Sequence, residues 1–417
     1  MYIRRDIEKT IMEVAKSFQV ITLYGSRQVG KTTTVEYLFH DTFRFVTLDS
    51  IDDYDLANEN PRGFLEVYGW PLIIDEVQKA PGLLNEIKRI VDKQRRDWMR
   101  DGKERELMYI LTGSNQFDLQ EKISESLAGR TAILELSSLT QIEKINIEGN
   151  IFKVNIDELL QKEKKYNIYK TKNEIFDYIF EGGYPDIITK ETPRDLYFKS
   201  YIATYIEKDI RKLISVDYET QFRRFMELIA LRTAQELNYE SITSDLGINV
   251  ATCKRWLSIL ETSGIIVLLQ PYMANISKRI IKSPKLYFMD TGLCSYLCKW
   301  PNAEILRDCA MSGAFFETYV VSEIIKSYYN AGINPKDYLY YYRDIDKKEV
   351  DILIVENECI YPVEIKKNSS PNKPTKNFKV LSKYNKPIMP GLVIDTTDKI
   401  RPINDSAYSF PVSLIGL

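Results

Sequence analysis

The 417-residue sequence has no long hydrophobic run. Its longest stretch without a charged residue, Thr262 to Ser277, is interrupted by Gln270, Pro271 and Asn275 and is too short to span a bilayer. The N-terminal residues alternate charged and apolar side chains at helical spacing, without the continuous apolar segment of a signal peptide. The sequence therefore predicts a cytoplasmic protein without membrane partners.

Cysteines are few and unpaired by spacing. The five thiols lie in apolar or helical contexts and form neither a zinc spacing nor a disulfide framework: Cys253, Cys294, Cys298, Cys309 and Cys359. Cys294 and Cys298 are four residues apart and could share one helix face, as metal ligands or as packing residues. We interpret all of them as reduced thiols, and this pair as packing.

The sequence also lacks a large excess of charge of either sign. The formal net charge of −2 argues against a protein that coats nucleic acid by bulk electrostatics, so any nucleic-acid contact must be local. The chain contains 44% apolar and 28% charged residues, which is typical of a folded globular protein. Its length favours two or three domains.

The most specific motif is GSRQVGKT at 25–32, which follows an apolar run at 20–24 and precedes a helical pattern. It matches the P-loop, in which glycines let backbone N–H groups surround phosphates, a lysine reaches the outer phosphates and a hydroxyl holds Mg²⁺. The motif predicts ATP and Mg²⁺ as cofactors, with Lys31 catalytic and Thr32 a metal ligand. The predicted nucleotide contacts here are Gly25, Ser26, Gln28, Val29, Gly30, Lys31, Thr32 and Thr33.

Polar residues that follow other strands complete the predicted site. Asp75 ends the run PLIID and is the expected magnesium partner, and Glu76 is the expected base for the attacking water. Ser114 or Asn115, after the run MYILTG, could sense the γ-phosphate or could lie in a surface turn. Arg130 could neutralise transition-state charge, in its own subunit or a neighbour's, or could be structural.

Strands alternate with helices through the first part of the chain. Apolar runs at 20–24, 44–49, 70–75, 107–113 and 131–136 are separated by charged amphipathic stretches. This pattern predicts an α/β domain over 1–145, a P-loop NTPase parallel sheet with helices on both faces. Residues 146–220 are Lys- and Tyr-rich and predict a helical lid or connector.

Residues 221–290 predict a winged helix-turn-helix. A short helix, Gly247 and a helix carrying Lys254 and Arg255 precede two strands that flank a basic tip. Such modules bind DNA or serve only for packing, and both interpretations stay open. The residues that could contact DNA phosphates are Lys254, Arg255, Lys278, Arg279, Lys282 and Lys285.

Residues 291–417 predict a restriction-endonuclease-like α/β domain. Asp351 begins the strand VDILIV, and Glu364 and Lys366 lie on one face of the next strand, YPVEIK. This is the PD-(D/E)xK pattern, in which Asp and Glu bind Mg²⁺ and Lys orients water, with Glu317 on a helix assisting. Val350 stands where the pattern has proline. The pattern predicts the fold and leaves cleavage open.

Six motifs in order carry a family resemblance: GSRQVGKTT, LIIDEVQKAP, LTGSNQF, SLAGRTAILEL, EGGYPD and YIEKDI. The sequence resembles prokaryotic AAA+-type P-loop ATPases of the archaeal-ATPase-like group, which carry a C-terminal domain of unknown function. The resemblance covers essentially the whole chain. It implies that Arg27 and Gln78 also belong to the nucleotide site, and it leaves the biological target unsettled.

These patterns predict a protein that binds ATP and hydrolyses it with Mg²⁺ to drive or switch a process directed at DNA or protein. One alternative is a slow nucleotide-gated switch or DNA-binding regulator with a non-catalytic nuclease-like domain. Another is an ATP-regulated, metal-dependent nuclease. A homo-oligomer is compatible with all three.

Overall fold

The computed structural model describes residues 2–114, 123, 125–205, 219–273, 283–369 and 371–417. The chain forms two compact units. The first comprises Met1–Ser137, Thr262–Gly264 and Tyr329–Gly332, and the second comprises Ser138–Glu261, Ile265–Tyr328 and Ile333–Leu417. Four residues of the sequence-based predictions lie outside the described ranges: Asn115, Lys278, Arg279 and Lys282.

The first unit is built on a parallel five-stranded sheet, as the sequence predicts. The strand order is β2-β3-β4-β1-β5, and β1 pairs in parallel with β4 and β5. The strands are β1 (Val20–Tyr24), β2 (Arg44–Thr47), β3 (Leu72–Asp75), β4 (Tyr109–Gly113) and β5 (Thr131–Glu135). Because the central strands are buried along almost their whole length, each reads as a continuous apolar run in the sequence.

Helices flank this sheet. They are α1 (Ile7–Val14), α2 (Lys31–Phe39), α3 (Ile51–Glu59), α4 (Pro61–Tyr68) and α5 (Gly82–Asp101). The longest, α5, places apolar residues at helical spacing, including Leu84, Ile87 and Val91, in one core cluster with Val20 and Leu111 of the sheet. Burial of this stripe fixes the sheet on which the site is built.

The second unit begins with helices. They are α6 (Ile156–Tyr166), α7 (Lys172–Glu181), α8 (Pro185–Ile188), α9 (Arg194–Tyr205), α10 (Glu219–Ala230), α11 (Tyr239–Leu246) and α12 (Val250–Thr262). A small antiparallel sheet accompanies the last three, with the order β6-β8-β7. Its strands are β6 (Gln235–Glu236), β7 (Ile266–Leu269) and β8 (Lys285–Phe288).

A six-stranded sheet of order β13-β14-β12-β11-β10-β9 forms the C-terminal part. Three helices precede it: α13 (Thr291–Leu297), α14 (Ala303–Asp308) and α15 (Ser312–Asn330). The strands are β9 (Leu339–Arg343), β10 (Glu349–Glu356), β11 (Cys359–Ile365), β12 (Gly391–Asp395), β13 (Arg401–Asn404) and β14 (Ala407–Pro411). Strands β9, β10 and β11 form an antiparallel meander, and β12 pairs in parallel with β11.

Within the described ranges, no helix combines the length and the apolar composition that crossing a membrane requires.

Candidate functional site

The P-loop connects β1 to α2 by a path that requires two glycines. Gly25 has a φ of 152°, and a Cβ there would lie 2.0 Å from the carbonyl oxygen of Leu136. Gly30 caps α2 with a φ of 93°, which L side chains rarely adopt. The loop therefore turns tightly into the N-terminus of α2, where helix N–H groups favour an anion.

The side chain of Lys31 folds back over this loop. It is buried, and its Nζ donates to the carbonyl oxygens of Gly25 at 2.9 Å and Ser26 at 2.7 Å. A buried ammonium is stable only when oxygens or negative charge surround it. The loop thus holds a positive charge beside its own backbone, as phosphate binding requires.

Thr32 and Asp75 meet at the carboxyl edge of the sheet. The Thr32 hydroxyl donates to Asp75 Oδ1 at 3.0 Å, and the hydroxyl of Thr112, from β4, donates to the same oxygen. Parallel register brings these strand ends together, because Ile74 pairs with Leu111. This hydroxyl and this carboxylate are the hard oxygen ligands that Mg²⁺ prefers, so these residues fit a magnesium ion bound with a triphosphate.

Glu76 follows Asp75 in the left-handed region, with a φ of 55°. Its Oε2 accepts from the Gln78 side-chain amide and from Ser114 Oγ, the latter at 3.3 Å. The Gln78 Oε1 atom is buried and has no hydrogen-bond partner among the described residues. The contacts with Gln78 and Ser114 orient the Glu76 carboxylate at this edge of the sheet.

The other predicted nucleotide contacts differ in exposure. Ser26 is buried and its hydroxyl donates to the carbonyl oxygen of Gly264 at 3.1 Å. Val29 is buried, whereas Gln28, with a φ of 60°, and Thr33 are exposed. Val29 therefore contributes packing and its backbone rather than a polar side chain. Arg27 is half-buried within the loop.

Two side chains at this site were not identified from the sequence. The buried guanidinium of Arg5 donates to the carbonyl oxygens of Val29 and Ser137, both at 2.7 Å, and so fixes the loop from the N-terminal segment. Glu135, at the end of β5, accepts from the Tyr24 hydroxyl at 3.1 Å. Arg5 belongs to no motif quoted above, whereas Glu135 lies within SLAGRTAILEL and is brought to the end of β1 by the pairing of β5 with β1.

Arg130 lies at the opposite edge of the sheet. Arg130 immediately precedes β5, and the first residue of β5 pairs with Val20, the first residue of β1. The P-loop instead follows Tyr24, the last residue of β1. Its guanidinium is bidentate to Asp92, at 2.6 and 2.9 Å, and lowers the pKa of that carboxyl. A role for Arg130 on the nucleotide of its own subunit is therefore at odds with the register, and its observed contact is structural.

In the second unit, β10 and β11 bring together the residues of the predicted nuclease-like motif. Lys366 Nζ lies 2.7 Å from Glu364 Oε1 and 3.9 Å from Asp351 Oδ2. Asp351 Oδ2 also accepts from the backbone N–H of Ile365 at 2.7 Å. The Glu364 Oε2 atom is buried without a hydrogen-bond partner among the described residues.

Burial dominates the electrostatics of this pair of acids. It raises the pKa of Asp351 well above its ordinary value, and the charges of Glu317 and Glu364 add to the effect. Burial likewise raises the pKa of Glu364. For Lys366 burial acts in the opposite direction, yet the charges of Asp351 and Glu364 raise its pKa. Asp351 and Glu364 are therefore stabilised in the folded protein either by protonation or by cations close to them.

Glu349 and Lys285 join this cluster, and Lys285 corrects an expectation. Lys285 is buried, with Nζ 2.7 Å from Glu317 Oε1 and 2.5 Å from Glu349 Oε1. It is therefore unavailable to DNA phosphates, contrary to the sequence-based interpretation. Glu349 lies two residues before Asp351, so period-two alternation along the strand could have revealed it. Carboxylate oxygens of Glu317, Glu349 and Asp351 lie within 4.8 Å of one another.

Helix α12 exposes the basic side chains predicted on it. Lys254 and Arg255 are both exposed, and the Lys254 ammonium lies 5.3 Å from the ring centroid of Tyr239. The turn before the helix contains Gly247 with a φ of 65°. Asn249 then accepts from the Thr252 N–H at 2.7 Å and caps the new helix, as its position in the sequence suggests.

The five-stranded parallel sheet, its P-loop and the acidic end of β3 define the first unit as a P-loop NTPase domain. Residues 17–145 match the family described as an AAA domain. Residues 172–304 and 312–415 match two domains of unknown function, DUF8612 and DUF4143. The matches confirm the resemblance to AAA-type P-loop ATPases with a C-terminal domain of unknown function.

Relatives extend over most of the chain. An uncharacterized protein of Mycobacterium tuberculosis is 26% identical over 373 residues, which is 88% of this chain and 75% of its own. An uncharacterized protein of Methanocaldococcus jannaschii is 23% identical over 332 residues, 72% of this chain and 67% of its own. Among solved structures, the Walker-type ATPase of Pyrococcus abyssi has a TM-score of 0.40 at 14% identity, covering 71% of this chain and 96% of its own.

Proposed function

We propose that the protein binds ATP with Mg²⁺ at the P-loop and hydrolyses it to drive or switch a process directed at DNA or protein in the cytoplasm. The observation that carries this proposal is the hydrogen bond from Thr32 to Asp75, 3.0 Å long, in the same loop whose carbonyl oxygens hold the Lys31 ammonium. It joins the P-loop hydroxyl to the strand-end carboxylate at the edge where nucleotides bind in such sheets.

Each polar group has a defined task in this proposal. Lys31 neutralises the outer phosphate oxygens, and Thr32 and Asp75 would hold Mg²⁺, which withdraws charge from the phosphates. Glu76 accepts the proton of the attacking water, while Gln78 and Ser114 fix its carboxylate.

Replacing the P-loop lysine tests the proposal. Lys31→Ala removes the buried ammonium, and loss of one such electrostatic contact should reduce ATP hydrolysis by about a hundredfold or more. Phosphate release by purified wild-type and variant protein measures the effect. Lys93→Ala, which changes an exposed lysine of α5, is the matched control and should behave like wild type. Undiminished hydrolysis by Lys31→Ala contradicts the proposal.

A second candidate function is DNA binding by the module of α10, α11, α12 and the sheet β6-β8-β7. This order of helices and strands supports a winged helix-turn-helix, and its second helix exposes Lys254 and Arg255. Changing both residues to Ala should weaken binding to duplex DNA and reduce its salt dependence. Lys299→Ala, an exposed lysine outside this helix, is the control. Equal affinity of the double variant and wild type excludes this surface.

Turnover distinguishes a motor from a switch. Stimulation of hydrolysis by DNA well above about one event per minute favours a motor or remodeller, whereas slow, unstimulated turnover favours a nucleotide-gated switch. Arg130 could act only on a neighbouring subunit's nucleotide, so that role requires a homo-oligomer. Metal-dependent cleavage of nucleic acid is required for the third possibility, the ATP-regulated nuclease.

A further inference from the structure

The carboxylate cluster of the nuclease-like domain already contains a cation of its own. The Lys285 ammonium donates to Glu317 Oε1 at 2.7 Å and Glu349 Oε1 at 2.5 Å. These are two of the three carboxylates whose oxygens lie within 4.8 Å of one another, the third being Asp351. An ammonium has only donors to offer, so it uses the same oxygens that a divalent cation would bind.

The strand β8 holds this ammonium firmly. Lys285 pairs with Leu269 and Tyr287 pairs with Val267, so the two side chains share one face of the small sheet. The Tyr287 hydroxyl also donates to Glu317 Oε1, at 2.7 Å. Only 3% of the Lys285 side chain is exposed, and moving its ammonium away would break both of its ion pairs, with Glu317 and with Glu349.

Further cations reduce the remaining negative charge. Lys366 pairs with Glu364, and an Arg343 Nη1 atom lies 3.5 Å from Glu349 Oε2. Three basic side chains thus face five carboxylates and compensate part of their negative charge, with Arg343 nearest to Glu236 at 3.1 Å: Lys285, Lys366 and Arg343 face Glu236, Glu317, Glu349, Asp351 and Glu364.

The carboxylate cluster is not closed off from a metal ion by the surrounding side chains. Lys285 and Glu349 line a cleft of about 740 Å³ that Tyr239 and Lys254 also line. Solvent and ions can therefore approach the cluster from this side. Whether a metal ion binds then depends on whether the Lys285 ammonium already occupies the carboxylate oxygens.

We propose that Lys285 is a built-in counter-cation that excludes divalent metal from this cluster. The cluster then serves as an ion-pair centre that fastens β8 to α15 and β10, and it does not support metal-dependent cleavage. This inference is independent of ATP hydrolysis and opposes the nuclease alternative.

Titration with Mn²⁺, followed by electron paramagnetic resonance on the full chain without nucleotide, tests the proposal. Wild type should bind Mn²⁺ at this cluster more weakly than about 1 mM. Lys285→Met, which keeps the unbranched apolar stem and removes the ammonium, should gain one site at least about tenfold tighter. Adding Asp351→Asn to that variant should remove the site. Lys254→Met, a lysine of the same cleft, should match wild type.

Two results would overturn the proposal. One is wild-type protein that binds one Mn²⁺ tightly and loses it on Asp351→Asn, and the other is a folded Lys285→Met variant that gains no site. A second measurement needs only wild type. Chemical acetylation of lysines, mapped by mass spectrometry, should leave Lys285 unmodified with and without Mg²⁺. Acetylation of Lys285 that appears only with Mg²⁺ would mean that the metal displaces the ammonium from the carboxylates and would contradict the proposal.

Discussion

Glu76→Gln separates hydrolysis from nucleotide binding. The substitution removes the carboxylate that we propose as the acceptor of the attacking water's proton, but the side chain keeps its length and one oxygen that can still accept from Gln78 and Ser114. The loop itself is untouched, since Lys31 and Thr32 contact other groups. Binding of Mg·ATP should therefore change little.

The expected loss follows from the role of a general base. Such a group contributes about 10² to 10⁴ in rate, so Glu76→Gln should lower kcat by about a hundredfold or more. Single-turnover hydrolysis measures the chemical step, and fluorescence titration with a labelled ATP analogue measures affinity. Glu36→Gln, an exposed acid on α2, is the control and should leave both unchanged. Wild-type turnover in the Glu76→Gln variant would refute the assignment, and so would lost ATP binding with an unchanged fold.

Three further predictions concern stability. Gly25→Ala places a Cβ 2.0 Å from a backbone oxygen, so it should lower the free energy of unfolding by at least about 2 kcal/mol and abolish ATP binding. Gly313→Ala, with open space around the new Cβ, is the control and should be neutral or stabilising. Equal effects of the two substitutions in thermal unfolding would contradict the loop geometry. Arg130→Ala and Asp92→Ala should show a coupling free energy of about 1 kcal/mol in a double-mutant cycle of the free energy of unfolding. Additive effects of the two substitutions would mean that the ion pair contributes nothing to stability. Burial raises the pKa of Asp395 to about 6, so the folded state keeps a proton that the unfolded state releases near its ordinary pKa of 3.8. Wild type should therefore lose about 2.4 kcal/mol relative to Asp395→Asn as the pH rises from about 4 to about 7, and parallel stability curves would contradict this sign.

The first unit could be predicted well because its signals are local. Each apolar run that predicted a strand overlaps an observed one, as at Val20–Tyr24 and Leu72–Asp75, since strands buried on both faces are apolar throughout. The P-loop, Asp75 and Glu76 lie at the ends of β1 and β3, as the sequence predicts, whereas their chemical roles stay predictions.

Contacts between distant parts of the chain could not be predicted. Arg5 and Val29 are 24 residues apart, and Lys285 and Glu317 are 32 residues apart, so no periodicity connects them. Lys285 was interpreted as a DNA contact because a basic residue near a predicted wing is usually exposed. Its burial depends on the carboxylates that the fold brings to it. The contact between Arg130 and Asp92 also links residues 38 positions apart, and the sequence alone did not decide between a structural role and a role in a neighbouring subunit.

Calorimetric titration of the purified full-length chain with ATP in the presence of Mg²⁺ tests the central claim most directly. We predict uptake of one ATP per chain, lost when Lys31 is changed to Ala and retained when Lys93 is changed to Ala. Folded wild-type protein that takes up no purine triphosphate, or a Lys31→Ala variant that binds as well as wild type, would contradict the account.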